Sequence, residues 1–178
     1  MAFEHVYLAP HVGAAVFSCG GAIARHRALG RLVLVVTAHA TDEAARREDR
    51  TALEFLDVPY QWQPGALDEL ARDIEPTARL HVPLGLGGSR LHALAIGRDF
   101  ELYEDIPGAL APGSVEMHLA ALGTGYEPVV TDITAFLDTR IEAMRQYASQ
   151  RIDEQLVVDY LRGVGSGIPS ERSWRVRR

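Results

Sequence analysis

The stretch His5 to Gly21, HVYLAPHVGAAVFSCGG, constrains the chain more than any other. Val6-Tyr7-Leu8-Ala9 is a short apolar run of the length expected for a buried strand. Pro10 ends the ladder, because it has no N–H to donate. A loop follows, and Cys19-Gly20-Gly21 leads into a helix carrying Ile23, Ala24 and Leu29. Strand, loop and helix at the chain start open a βαβ unit, and α/β sheets place ligands at the carboxyl ends of such strands. His11 stands one residue past the expected strand and is the first candidate for chemistry.

The next segments continue that pattern. Leu32-Val33-Leu34-Val35-Val36 is a near-continuous β-branched run, the mark of a parallel strand covered on both faces. Thr41-Asp42 offers an N-cap to a helix from Glu43 to Leu56. Val58 to Gln63 reads as a short edge strand, Leu67 to Ile74 as a weak helix, and Arg79 to Leu84 as another strand. Phe100 to Pro107 predicts a strand. Glu116 to Leu122 and Tyr126 to Ile133 predict a strand pair joined by Gly123-Thr124-Gly125. A helix is expected from Thr134 to about Gln150, and a last one from Glu154 to Leu161, ending at Gly163-Val164-Gly165. No repeat or linker interrupts the 178 residues, so a single domain over 1–178 is expected.

Composition excludes several classes. A net charge of −6 argues against nucleic acid as a partner, and the basic tail Arg172 to Arg178 is too short to reverse that. No apolar run reaches the length of a membrane span and no signal-peptide pattern opens the chain, so a cytoplasmic location is expected. The single Cys19 permits no internal disulfide and fits a reducing compartment. All 18 basic residues are Arg; genomic codon bias is the plainer explanation, but a lysine catalyst is excluded.

Pro10-His11-Val12-Gly13-Ala14-Ala15-Val16-Phe17-Ser18-Cys19-Gly20-Gly21 resembles the signature P-H-P-D-D-E-A-L-G-C-G-G of the LmbE/PIG-L family, zinc-dependent deacetylases and amidases of N-acylated sugars and related small molecules. Pro83 to His92, PLGLGGSRLH, resembles the family's second motif, P-x-G-x-G-G-H-x-D-H. Further resemblances run through the chain. Arg46-Arg47-Glu48-Asp49 matches an R-x-E-D helix and Tyr103-Glu104-Asp105-Ile106-Pro107 a Y-E-D-x-P segment. Arg140 to Gln150 matches K-x-x-A-x-x-x-Y-x-S-Q, and Ile168 to Trp174 the closing motif. The resemblance implies an α/β fold: a Rossmann-like three-layer sandwich, its mostly parallel sheet flanked by helices on both faces.

In the family the first-motif His, its second Asp and the last His of the second motif bind zinc, and the first Asp is the general base. Here His11 and His92 remain. Gly13 and Ala14 replace the two acids, Ala15 the Glu, and Ser89 the His that stabilises the oxyanion. A catalytic zinc needs about three protein ligands and an open position, so no metal and no cofactor is expected. Cys19, His39, Glu104 and Asp105 are the conceivable replacement ligands, each with a plainer structural explanation. Losing a positioned general base forfeits about 10²–10⁴ in rate, and losing an oxyanion donor about 10² or more.

Three readings follow. The first is a metal-independent enzyme acting on a small molecule, in specialised-metabolite tailoring or cyclisation, with His11 and His92 as acid and base. The second is a non-catalytic pseudoenzyme that binds a ligand or an active partner. The third is a residual zinc deacetylase with a rearranged site. By the resemblance, Gly13, Ala14, Arg47, Ser89, Tyr103 and Glu104 line the substrate pocket, and a homo-oligomer is expected because relatives often assemble. A charged run such as Arg46 to Asp49 is otherwise a solvated helix face.

Overall fold

The computed structural model describes residues 2–40, 42–63, 74–86, 100–123 and 125–176. A seven-stranded sheet forms the middle layer. Its central strand β1 (His5–His11) has Val6, Tyr7, Leu8 and Ala9 each 1% exposed. Such strands are apolar on both faces because helices cover both. β2 (Val33–His39), β3 (Tyr60–Trp62), β4 (Arg79–Pro83) and β5 (Phe100–Tyr103) run parallel to it. β7 (Ser170–Val176) joins antiparallel to β5, and β6 (Tyr126–Asp132) antiparallel to β7. The order is β3-β2-β1-β4-β5-β7-β6. Chain direction across the sheet reverses between β1 and β4, so their carboxyl ends flank the crevice where open α/β sheets bind ligands.

Among the described residues there are five α-helices: α1 (Ala14–Ala28), α2 (Glu43–Phe55), α3 (Ser114–Leu122), α4 (Leu137–Arg145) and α5 (Glu154–Val164). Among the described residues no helix is long and apolar enough to cross a membrane. α1 is buried along most of its length and packs on β1 and α4. Arg140 of α4 is fully buried. It pairs with Glu171 of β7 at 2.8 Å and donates to the Phe17 carbonyl. Glu171 in turn accepts the N–H groups of Gly21 and Ala22 at 2.8 Å each. Burial raises the Glu171 carboxyl, and Arg140 and the two N–H groups oppose that rise. A Cβ on Gly21 would lie 2.7 Å from Ile133 Cδ1, so this approach requires glycine.

Several sequence expectations need correction. Residues 114–122 form a helix, not a strand. Val115, Met117 and Leu119 alternate as a strand would, but Ala120, Ala121 and Leu122 favour helix, and left-handed Gly113 and Gly123 bracket it. The expected helix from Thr134 begins as a 3₁₀ turn (Thr134–Phe136), since Asp132 accepts the Thr134 N–H and hydroxyl. Regular α4 covers only Leu137–Arg145. β5 stops at Tyr103, well short of Pro107. The weak helix expected over Leu67 to Ile74 lies almost wholly outside the described residues.

Removing one partner of a buried ion pair leaves the other charge uncompensated, at a cost of about 3–5 kcal/mol. Arg140→Met is therefore expected to lower the urea midpoint by that much stability. An unchanged midpoint would show that the pair carries little weight.

Candidate functional site

The crevice is built on the turn between β1 and α1. His11 is the last residue of β1, its side chain is exposed, and its Nδ1 lies 3.1 Å from the Val12 carbonyl. Gly13 adopts φ +82°, and a Cβ there would sit 2.6 Å from Phe17 Cε2. The left-handed backbone and the Phe17 ring therefore both oppose a side chain at this position. Ala14 starts the helix and is buried.

Asp49 of α2 holds this turn. It is 2% exposed and accepts four hydrogen bonds: from Gly13 N–H (3.2 Å), the Thr37 hydroxyl (3.5 Å), Trp62 Nε1 (2.9 Å) and the Tyr147 hydroxyl (2.7 Å). Four donors from four segments satisfy a carboxylate that would otherwise be costly to bury. Beside it, Glu48 accepts the N–H and hydroxyl of Ser149, and Gln150 Nε2 donates to the Val12 carbonyl at 3.1 Å.

The facing wall comes from the segment after β5. Asp105 Oδ2 accepts the N–H groups of Gly85 (2.7 Å) and Leu86 (2.6 Å), at the start of the loop that follows β4. Among the described residues its Oδ1 is buried without a partner, as is Nε2 of His118 on α3. Burial pushes the Asp105 carboxyl up to about 6; the two N–H bonds and the His11 and His118 imidazoles oppose the rise. Ile106 N–H donates to the Ser18 hydroxyl at 3.0 Å and ties this wall to α1.

The residues expected from sequence divide into three groups. His11, Gly13 and Ala14 stand at the crevice. Arg47 is exposed on α2. Tyr103 is buried and its hydroxyl donates to the Leu8 carbonyl at 2.7 Å. Glu104 is buried and accepts from Trp174 Nε1 (2.8 Å), Arg172 and the Tyr160 hydroxyl. Both are thus engaged inside the protein. Ser89 and His92 lie outside the described residues. Cys19 is buried and its thiol is pushed up by desolvation, so it packs as a neutral side chain. Sequence reasoning considered Asp105 only as a ligand and missed His118, whose segment reads as a strand.

No family model matches the chain, and no curated protein matches it. Solved structures do. A deacetylase of teicoplanin biosynthesis, in complex with teicoplanin, superposes with a TM-score of 0.80 at 18% identity, covering 97% of both chains. The 4-carboxy-2-hydroxymuconate hydratase GalB from Pseudomonas putida gives 0.69 at 19%, covering 100% of this chain and 98% of that one. The N,N'-diacetylchitobiose deacetylase from Pyrococcus horikoshii gives 0.62 at 18%, covering 98% and 84%. The fold is of the LmbE/PIG-L type.

An LmbE/PIG-L-type crevice implies a zinc ion on a His, an Asp and a second His. The described residues do not supply that set. Ala14 carries a methyl where the Asp ligand is implied, and Gly13 has neither donor nor room for one. Among the described residues, three ligand atoms come within 4.8 Å of one another only at His5, His26 and His81, at the opposite end of the sheet. What the crevice does offer is a protonatable carboxyl, Asp105, with imidazoles near it.

The raised Asp105 pKa has a consequence for stability. Between its ordinary 3.8 and about 6, the unfolded chain releases this proton while the folded chain keeps it. Stability is thus fully present below that window and lost as pH rises through it. A shift of about two units corresponds to about 3 kcal/mol. Asp105→Asn keeps an acceptor for both N–H groups and is expected to melt higher than the wild type at pH 8, with no such gain at pH 3. Identical melting profiles from pH 3 to 8 would contradict this assignment.

Proposed function

We propose that the protein is a metal-independent enzyme that transfers protons on a small molecule bound in the LmbE-type crevice, with His11 and His92 as acid and base. The observation that supports it most is Asp105: a carboxyl anchored by two backbone N–H groups, its second oxygen buried with no partner among the described residues, and its pKa pushed up to about 6. Groups that titrate near neutrality can both take and return a proton, which is the requirement for efficient acid–base catalysis. In this reading one imidazole removes a proton from the substrate. Asp105, protonated in part near neutrality, stabilises or protonates the anion that develops, in the place of the missing oxyanion His. Addition, elimination and ring closure all fit this inventory without an external oxidant or reductant. A hydratase on the same fold fits chemistry other than deacetylation. The teicoplanin-pathway deacetylases make specialised-metabolite tailoring the most natural setting. Gly13 and Ala14 leave the mouth less acidic than a pair of aspartates would, suiting a larger or less polar ligand than an acetylated sugar.

Two probes separate the reaction classes: 4-carboxy-2-hydroxymuconate for hydration and N,N'-diacetylchitobiose for deacetylation, each followed by mass spectrometry with and without EDTA. Turnover or solvent-deuterium exchange on the first probe is expected to resist EDTA. It should fall about 10²–10⁴-fold in His11→Ala and in Asp105→Asn. Deacetylation of the second probe that EDTA abolishes and zinc restores would overturn the proposal. So would turnover unchanged in His11→Ala.

A further inference from the structure

At the amino-terminal end of the sheet three histidines converge from three elements. His5 opens β1, His26 lies in the last turn of α1, and His81 is the middle residue of β4. The register that sets His5 beside Arg79 and Tyr7 beside His81 brings His5 Nδ1 to 2.9 Å from His81 Nε2. The His5 and His26 rings stack with centroids 3.7 Å apart, and one ring nitrogen from each of the three lies within 4.8 Å of the others. The cluster lines a cavity of about 240 Å³. Tyr7 stacks on His81 with centroids 4.1 Å apart and lines the same cavity; its hydroxyl is buried with no hydrogen-bond partner among the described residues.

We propose that His5, His26 and His81 form a binding site for a divalent late first-row metal ion, zinc foremost, separate from the crevice. β1 separates the two places: His5 and His11 are its first and last residues, about 20 Å apart at ~3.3 Å per residue. The donor chemistry fits, since imidazole suits zinc, copper and nickel. A tetrahedral ion with bonds of about 2.1 Å places its nitrogen ligands ~3.4 Å apart. The His5–His81 pair must open by about half an ångström and His26 must turn out of its stack. His5 and His26 are only half-buried and can rotate. His81 is fixed by the Tyr7 ring and by Glu101, whose Oε2 lies 3.9 Å from His81 Nδ1. A carboxylate behind the far nitrogen of a ligating imidazole orients it and raises its basicity. Three protein ligands leave a fourth position, and a water there facing the cavity would give the Tyr7 hydroxyl a partner. Burial also keeps all three imidazoles below their ordinary pKa, His26 at about 4, in the unprotonated form that metals bind. Arg79 and Arg175 lie close by. Both pair with Glu101, and their charge should keep the affinity in the micromolar range.

The test is isothermal titration of the tag-free, EDTA-treated and dialysed full chain with zinc chloride, repeated with cobalt(II) chloride to read tetrahedral coordination from its visible absorption. The expected result is one micromolar site, with tetrahedral cobalt bands and a zinc-dependent rise in Tm. His26→Ala should weaken binding at least tenfold, as should His81→Gln, while His11→Ala leaves it intact. His26 is half-buried on the final helical turn, so His26→Ala should fold even if His81→Gln does not; its own Tm without zinc verifies that. Zinc binding lost in His11→Ala but retained in His26→Ala would overturn the proposal and place the metal in the crevice. Absence of binding by the wild-type chain would equally overturn it, leaving the three rings as buried packing.

Discussion

Helix α1 carries the crevice turn at one end and one histidine of the cluster at the other. Its position depends on the buried pair between Arg140 and Glu171. The pair does more than neutralise two charges. Glu171 accepts the N–H groups of Gly21 and Ala22, and Arg140 donates to the Phe17 carbonyl. The partners are residues from opposite ends of the chain and from three elements. These further bonds offset part of the cost of burying two charges, although Arg140 Nε is buried with no partner among the described residues. These two side chains therefore accept little displacement of α1 relative to α4 and β7. Gly20 and Gly21 follow as a consequence, because Arg140 and Ile133 already fill the space a side chain would take there.

Asp49 plays the corresponding part for the crevice turn. Its four donors come from the β1–α1 turn, β2, β3 and the segment after α4. Each bond alone contributes on the order of 1 kcal/mol, but together they fix one conformation of Gly13, and with it the direction in which β1 delivers His11. Trp62 belongs to the same arrangement: its indole N–H binds Asp49, while Arg46 and Arg50 lie over its ring. The Arg46 to Asp49 run thus combines two environments. Arg47 and Arg50 face solvent as an isolated charged helix would, and Asp49 points into the core.

That split explains what the sequence could reveal. β1 and β2 were legible because burial on both faces demands a run of apolar residues, Val6 to Ala9 in one and Val33 to Val36 in the other. Residues 114–122 misled because a short helix with apolar residues at alternate positions mimics a strand, and only its flanking glycines speak otherwise. The end of β1 was not legible: Pro10 reads as the end of the ladder, yet the strand continues through it to His11, which pairs with His39. Asp49 was not legible either, since its burial depends on donors from residues 13, 37, 62 and 147, none of which its local sequence announces. The acidity of Asp105 is equally invisible, because it arises from desolvation against a loop and a helix far away in sequence. His5, His26 and His81 form no spaced motif at all; parallel pairing of β1 with β4 and the length of α1 bring them together.

The hydrogen bonds that hold the crevice turn and the side chains at its mouth belong to different residues. Arg140, Glu171 and Asp49 satisfy their partners without any contribution from a side chain at position 13, and Ala14 contributes only packing. The left-handed turn is set by backbone conformation and by Phe17, whose ring lies where a longer side chain at position 13 would have to go. Acids at these two positions would add charge to the crevice and nothing to the hydrogen bonds that hold it. Gly13 and Ala14 therefore leave those hydrogen bonds intact and place no charged side chain beside His11. Asp105, its carboxyl held up by burial, is the titratable acid of the facing wall.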